Sequence, residues 1–265
     1  MTEGNRPRQR FIIRPVDNDR NTELQRRAEL RRNYLVPIYF MHTSDVPRRE
    51  ARAALLGVAD ALRATGQERQ VVNFGSQQFG QGAYSSPNWY IEEAFRRQPL
   101  RRSAGYGPQI DVHEVGRLFT DEPFQEKPHW EVMVVNQDLN AKGRDGNYIN
   151  FVFGATDTMF PSSVQSVTRL MAEVPEGDLR DAMVRRLLRH EVGHMFGLPT
   201  TGRRNTEEKL GAHCTNPCTM RQGMSIPEWA DLTVTEHNNG IHFCGDCTGD
   251  LAASRSRYRP LPPQR

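Results

Sequence analysis

Near the end of the segment GDLRDAMVRRLLRHEVGHMFG, residues 177–197, two histidines stand four residues apart, His190 and His194, and Glu191 follows the first. Asp178 near the start of the segment and Gly197 at its end are residue types that open and close helices. On a helix, side chains four apart lie one above the other, with Cβ atoms about 5–6 Å apart, so both imidazoles can reach one ion. A carboxylate beside them can take a proton from a water whose pKa zinc has lowered towards about 7. This is the H-E-x-x-H arrangement of zinc hydrolases, extended by Gly197 to H-E-x-x-H-x-x-G. Two histidines do not complete such a site. Catalytic zinc takes three protein ligands and keeps a fourth position for water, so a third ligand has to come from outside the helix. His213, His237 and His242 are the candidates.

The four cysteines form a second set. Cys214 and Cys218 make a C-x3-C pair, and Cys244 and Cys247 a C-x2-C pair 25 residues further on. Two close pairs of this kind can present four thiolates to one tetrahedral structural zinc, and in a cytosolic chain they point to metal before disulfide.

The elements that must position these residues follow from periodicity. Tyr34 to Met41 (YLVPIYFM) reads as a strand. Asp45 is a candidate N-cap for a helix over Val46 to Thr65, with Ala51, Leu55, Val58, Ala59 and Leu62 at three-to-four spacing. A short strand over Gln70 to Phe74, a loop from Gly75 to Pro87, and helices over Trp89 to Arg97 and Ile110 to Phe119 come next. Trp130 to Asn136, Tyr148 to Gly154 and Ser163 to Leu170 read as three further strands ahead of the histidine helix. The order predicts an α/β sheet protein without internal repeats. Residues 1–33 form a polar Arg-rich arm, 34–251 a single domain that includes the Cys-rich segment 213–248, and 252–265 a disordered Pro/Arg-rich tail.

Composition narrows the function classes. With 265 residues, 37% hydrophobic and 25% charged, the chain can bury a sizeable core without disulfide staples. No run approaches the ~18 apolar residues of a membrane helix. The opening MTEGNRPRQRF leads into no apolar run of a leader's length, so a cytoplasmic, unprocessed chain is expected. Of the 35 basic residues only Lys127, Lys142 and Lys209 are lysine, and the net charge is +3. Asp17, Asp19, Glu23 and Glu29 dilute the arginines of the arm (Arg6, Arg8, Arg10, Arg14 and others), which argues against a nucleic-acid surface. A monomer acting on a peptide or protein substrate is the expected state.

The order HEVGH-x-x-G, then His213-Cys214, Cys218, Met220 and Cys244-x-x-Cys247 resembles the archaemetzincins, a branch of the metzincin zinc peptidases. VMVVNQDL (132–139), Asn150 to Gly154 and Ser166 to Leu170 are similar to further segments of that family, so the resemblance spans roughly residues 34–250. It implies a twisted mixed sheet with a long first helix behind it and the zinc-binding helix beneath the cleft. It also implies His190, His194 and His213 on a catalytic zinc, Glu191 as general base, Met220 in a turn beneath the metal, and Cys214, Cys218, Cys244 and Cys247 on a second, structural zinc. The strand with Asn150 to Phe153, at the sheet edge, would pair with an extended peptide substrate.

One departure stands out. The family's third histidine falls three residues after the glycine, at Thr200, and the stretch LPTTGRRNTEEKLGA intervenes before His213. The longer loop costs only about 1 kcal/mol of extra closure entropy, which zinc binding outweighs by on the order of 10 kcal/mol. His213 is therefore expected to complete the site, anchored by Cys214. The first cysteine pair is also one residue tighter than the family's. Two other readings share these residues: a zinc-stabilised module that binds nucleic acid or an acidic partner with an idle histidine helix, and a zinc amidohydrolase acting on a non-peptide substrate.

Overall fold

The computed structural model describes residues 18–80, 86–121, 127–143 and 146–262. The arginines at 6, 8, 10 and 14 lie outside the described residues, as do Asp17 and the last three residues of the tail. Five strands make the main sheet: β1 (Ile38–His42), β2 (Val71–Gly75), β5 (Trp130–Val135), β8 (Gly154–Asp157) and β9 (Ser162–Ser166), in the order β2-β1-β5-β9-β8. All pairings are parallel except that of β8 with β9, which leaves an antiparallel strand at the edge. A smaller sheet has the order β3-β4-β6-β7, from β3 (Arg101–Ser103), β4 (Gly107–Asp111), β6 (Asp138–Lys142) and β7 (Tyr148–Ile149).

Alternation along β5 divides the core. Trp130, Val132 and Val134 face α2 (Arg48–Thr65) and α6 (Asp178–Met195). Met133 and Val135 face α3 (Pro87–Arg97), α4 (Val112–Asp121) and the smaller sheet. α6 buries Met183, Val184, Leu187, Leu188, Val192 and Met195 against α2 and the sheet, which fixes the histidine helix directly beneath the β8 edge. The remaining elements are α1 (Asn18–Asn33), α5 (Thr168–Glu173), the hairpin β10 (Thr206–Glu208) and β11 (Ala212–Cys214), α7 (Ile226–Asn239) and α8 (Gly245–Ser254). Among the described residues no helix is long and apolar enough to cross a membrane.

The structure differs from the sequence reading in several places. The first long helix starts at Arg48 after Pro47, and Asp45 accepts from Gln137 Nε2 at 2.8 Å instead of capping it. Ile110 and Asp111 end β4, because Ile110 pairs with Leu139 and the Asp111 carboxylate accepts from the His113 N–H, starting α4 only at Val112. Asn150 to Phe153 form no strand: this stretch carries the chain from the smaller sheet to the main one, with Val152 N–H donating to Leu139 O on one side and Phe153 O accepting from Ser166 N–H on the other, and the edge strand is Gly154–Asp157. The segment 163–170 divides into β9 and α5 at Val167.

Within the described residues, both the polar arm and the tail expected to be disordered reach the core. Arg31 of α1 is fully buried beside Glu131, and its carbonyl accepts from Trp130 Nε1 at 2.7 Å. α8 continues to Ser254, a 3-10 turn covers Arg255–Arg257, and Tyr258 packs between Trp130 and Phe196. Arg259 N–H donates to Asn33 O at 2.9 Å. One buried aromatic supplies the apolar area that an Arg/Pro-rich composition conceals.

Candidate metal centres

His190 and His194 reach one point from consecutive turns of α6, and β11 brings His213 to it. His194 Nε2 lies 3.1 Å from His190 Nε2 and 3.1 Å from His213 Nε2. Each Nδ1 faces a backbone carbonyl: His190 that of Thr219 at 2.7 Å, His194 that of Leu198 at 2.7 Å, His213 that of Gly211 at 2.9 Å. A proton on Nδ1 satisfies each of these carbonyls, which leaves three Nε2 lone pairs converging on one point. Such an arrangement is repulsive unless a cation sits among them. The spacing is close to the edge of a zinc tetrahedron, about 3.3 Å for Zn–N bonds of about 2.0–2.1 Å. Burial holds all three imidazoles neutral, the ligating form: His190 falls well below its ordinary value, His194 to about 3, and His213 is also lowered. His190 and His213 are buried and His194 half-buried, so the cluster meets the surface on the His194 side.

The intervening stretch places His213 by folding rather than looping out. Gly197 takes φ +85°, the left-handed conformation that turns the chain away from the helix end. Thr200 is drawn off to α8, its backbone N–H and hydroxyl both donating to Asp250. β10 and β11 then pair Glu207 with His213 and Thr206 with Cys214. The other two candidates lie elsewhere: His242 Nδ1 contacts Glu236 Oε1 at 2.9 Å, and His237 is exposed on α7.

Glu191 is buried, and its Oε2 accepts from Thr156 Oγ1 of β8 at 2.7 Å. Burial pushes its carboxyl up to about 7, against the opposing pull of that hydrogen bond. Met220 is fully buried against α6, and a Cβ on Gly193 would crowd its Sδ, so the glycine lets the Met220 side chain lie directly on the helix. Arg186 and Arg189 hold the turn from the helix side. Arg186 donates to the carbonyls of Cys218 and Arg221, Arg189 to Thr219 Oγ1, and both pair with the buried Glu236 of α7. The carbonyl of Thr219 is thereby fixed against His190. Thr156, Thr219, Arg186, Arg189 and Glu236 are absent from the sequence reading. The arginines alone left a signal, as charges set among Met183, Val184, Leu187 and Leu188 on one helix.

The cysteines form a separate cluster. Cys214 and Cys244 Sγ are 3.8 Å apart, as are Cys218 and Cys247 Sγ, and all four sulfurs lie within 4.8 Å of one another. These are no disulfides. The separation matches the edge of a ZnS₄ tetrahedron, about 3.8 Å for Zn–S bonds of about 2.3 Å. Asn216 Nδ2 donates to Cys244 Sγ at 3.3 Å and Arg203 to Cys247 Sγ at 3.4 Å, both contacts that favour thiolate.

A cavity of about 570 Å³ runs along β8 towards Thr156, walled by His113, Gly116, Arg117 and Thr120 of α4. It lies along the β8 edge of the main sheet.

No family model and no curated protein matches the chain. Among solved structures, the crystal structure of an archaemetzincin from Methanopyrus kandleri aligns with 84% of this chain and 96% of its own, at 20% identity and a TM-score of 0.53. A zinc-dependent peptidase from Methanocorpusculum labreanum aligns with 81% of this chain and 99% of its own, at 20% identity and a TM-score of 0.44. The first of these likenesses identifies the architecture: the chain is similar in fold to an archaemetzincin.

Proposed function

We propose that the chain is a zinc-dependent peptidase, with His190, His194 and His213 holding the catalytic ion and Glu191 as general base. The observation that carries this reading is the convergence of three Nε2 lone pairs next to a buried carboxylate. The archaemetzincin-like fold supports it. Zinc suits both donor sets, three imidazoles with room for water in one and four thiolates in the other. In the histidine centre it supplies Lewis acidity to a water and a scissile carbonyl. Glu191 takes a proton from the attacking water and returns it to the leaving amine. The free edge of β8 receives the peptide as an added strand, whose side chains point alternately to the α4 cavity and to the histidine helix. Cys214, Cys218, Cys244 and Cys247 hold the second ion, and the working unit is a monomer.

The test is a peptide mixture incubated with the zinc-loaded, chelator-stripped and zinc-restored protein and read by mass spectrometry. Cleavage that disappears and returns with zinc is expected. Salt-dependent nucleic-acid binding without cleavage would favour the binding module, and hydrolysis confined to non-peptide amides the amidohydrolase.

A further inference from the structure

Thr156 joins the substrate edge to the catalytic helix. It stands on β8, and its hydroxyl donates to Glu191 Oε2 across 2.7 Å, 35 residues away in the chain. Its Oγ1 also lies 2.7 Å from Ser163 Oγ, the residue opposite it on β9. The Gln165 amide contacts Ser163 in turn. Thr156 Oγ1 further approaches the Glu191 carbonyl at 3.3 Å, so the hydroxyl meets both the side chain and the backbone of one residue. A β-branched side chain on a strand has few χ1 choices, and the cross-strand hydroxyl contact selects among them. Among the described residues, the Glu191 carboxylate accepts one hydrogen bond, from Thr156 at Oε2.

Building on the peptidase reading, we propose that Thr156 is a positioning residue for Glu191. It binds Oε2 and so holds the carboxylate in one orientation, with Oε1 left to exchange a proton with water. A general base acts only within about 2.6–3.2 Å of the proton it takes, and a misplacement of about 1 Å costs on the order of 10²-fold. Removing the hydroxyl without changing the side-chain volume frees the carboxylate to rotate while leaving the imidazoles and the β8 edge in place. Thr156 itself touches neither the ion nor the scissile bond.

The test compares Thr156→Val with Thr156→Ser. In Thr156→Val, kcat is expected to fall about 10- to 100-fold with KM within about twofold. Zinc content and melting temperature should match the parent. Thr156→Ser, which keeps the hydroxyl, is expected to recover kcat to within about threefold of the parent. Crystal structures of the metal-free chains give a readout independent of activity: one Glu191 rotamer in the parent and Thr156→Ser, and a redistributed carboxylate in Thr156→Val. Equal kcat in the parent and Thr156→Val, the same loss in both variants, or an unmoved Glu191 in Thr156→Val would overturn the proposal. If no variant cleaves any peptide but Glu191 follows the hydroxyl, the positioning role stands and the peptidase reading falls.

Discussion

The histidine and cysteine centres meet on β11 yet are finished in opposite ways. Three neutral imidazoles would leave a bound dication its whole charge, and one of them, His194, is only half-buried. Four thiolates more than cancel such a charge, and Arg203 and Asn216 are turned towards the sulfurs to offset the excess. With zinc bound, the first centre would keep its Lewis acidity and an open side, while the second would be closed and electrostatically quenched. On the proposed reading, ligand charge and the number of donors separate chemistry from structure, although the two sets meet at the consecutive residues His213 and Cys214.

The contrast breaks most heavily at the cysteines. Cys247→Ser should lose one zinc equivalent and, because structural zinc couples to folding on the order of 10 kcal/mol, unfold the C-terminal segment. Elemental analysis with thermal melting checks this, and full stability with two zinc ions would show that the cluster is not metal-held. Glu191→Gln should do the reverse, keeping both ions and the melting temperature while peptide hydrolysis falls about 10²- to 10⁴-fold. Loss of zinc from that variant would make Glu191 a ligand.

Between these lies the charged network behind the histidine centre. Glu236→Gln takes from Arg186 its carboxylate partner and leaves Arg189 only Asp60, and breaking a buried pair of this kind costs about 3–5 kcal/mol, measurable by urea titration. Burial raises the carboxyl values of Asp60 and Glu236, but the arginines facing both, together with His242 and Thr219 at Glu236, leave each below its ordinary value. The unfolded chain therefore binds more protons than the native one in acid. Stability from these groups is complete above their ordinary values of 3.8 and 4.5 and declines as pH falls through the lowered native ones. Glu236→Gln should flatten that decline.

The smallest change sharpens the choice of third ligand. His213→Ala should weaken zinc at the histidine centre by at least the ~10-fold that losing a partner of a ligand costs, and His242→Ala should leave it unchanged in a competition titration. The reverse result would move the ligand to His242.

How much of this could be read in advance depends on whether a feature is local in the chain. His190, Glu191 and His194 are four residues of one helix, and their geometry follows from its pitch. The cysteine pairs are nearly as local. The choice of His213 over His237 and His242 needed the family resemblance and the anchor at Cys214, because spacing alone says nothing about where a hairpin returns. Thr156 was invisible: a threonine in a short strand is an ordinary β-former, and its role exists only because the register of β8 on β9 sets it over α6. Asn150 to Phe153 looked like a strand because apolar residues bridging two sheets have a strand's composition. Tyr258 was lost among arginines and prolines.

His213 and Cys214 are successive residues of one strand, so their side chains leave the backbone on opposite faces with a single peptide unit between them. Filling either centre fixes that unit and spares the other the entropy of ordering it. Linkage requires the favour to be returned by the same factor, roughly 5- to 150-fold for couplings of this class. The chain should then load its ions cooperatively, and substoichiometric zinc should yield empty and doubly filled molecules with few in between. Native mass spectrometry would count them.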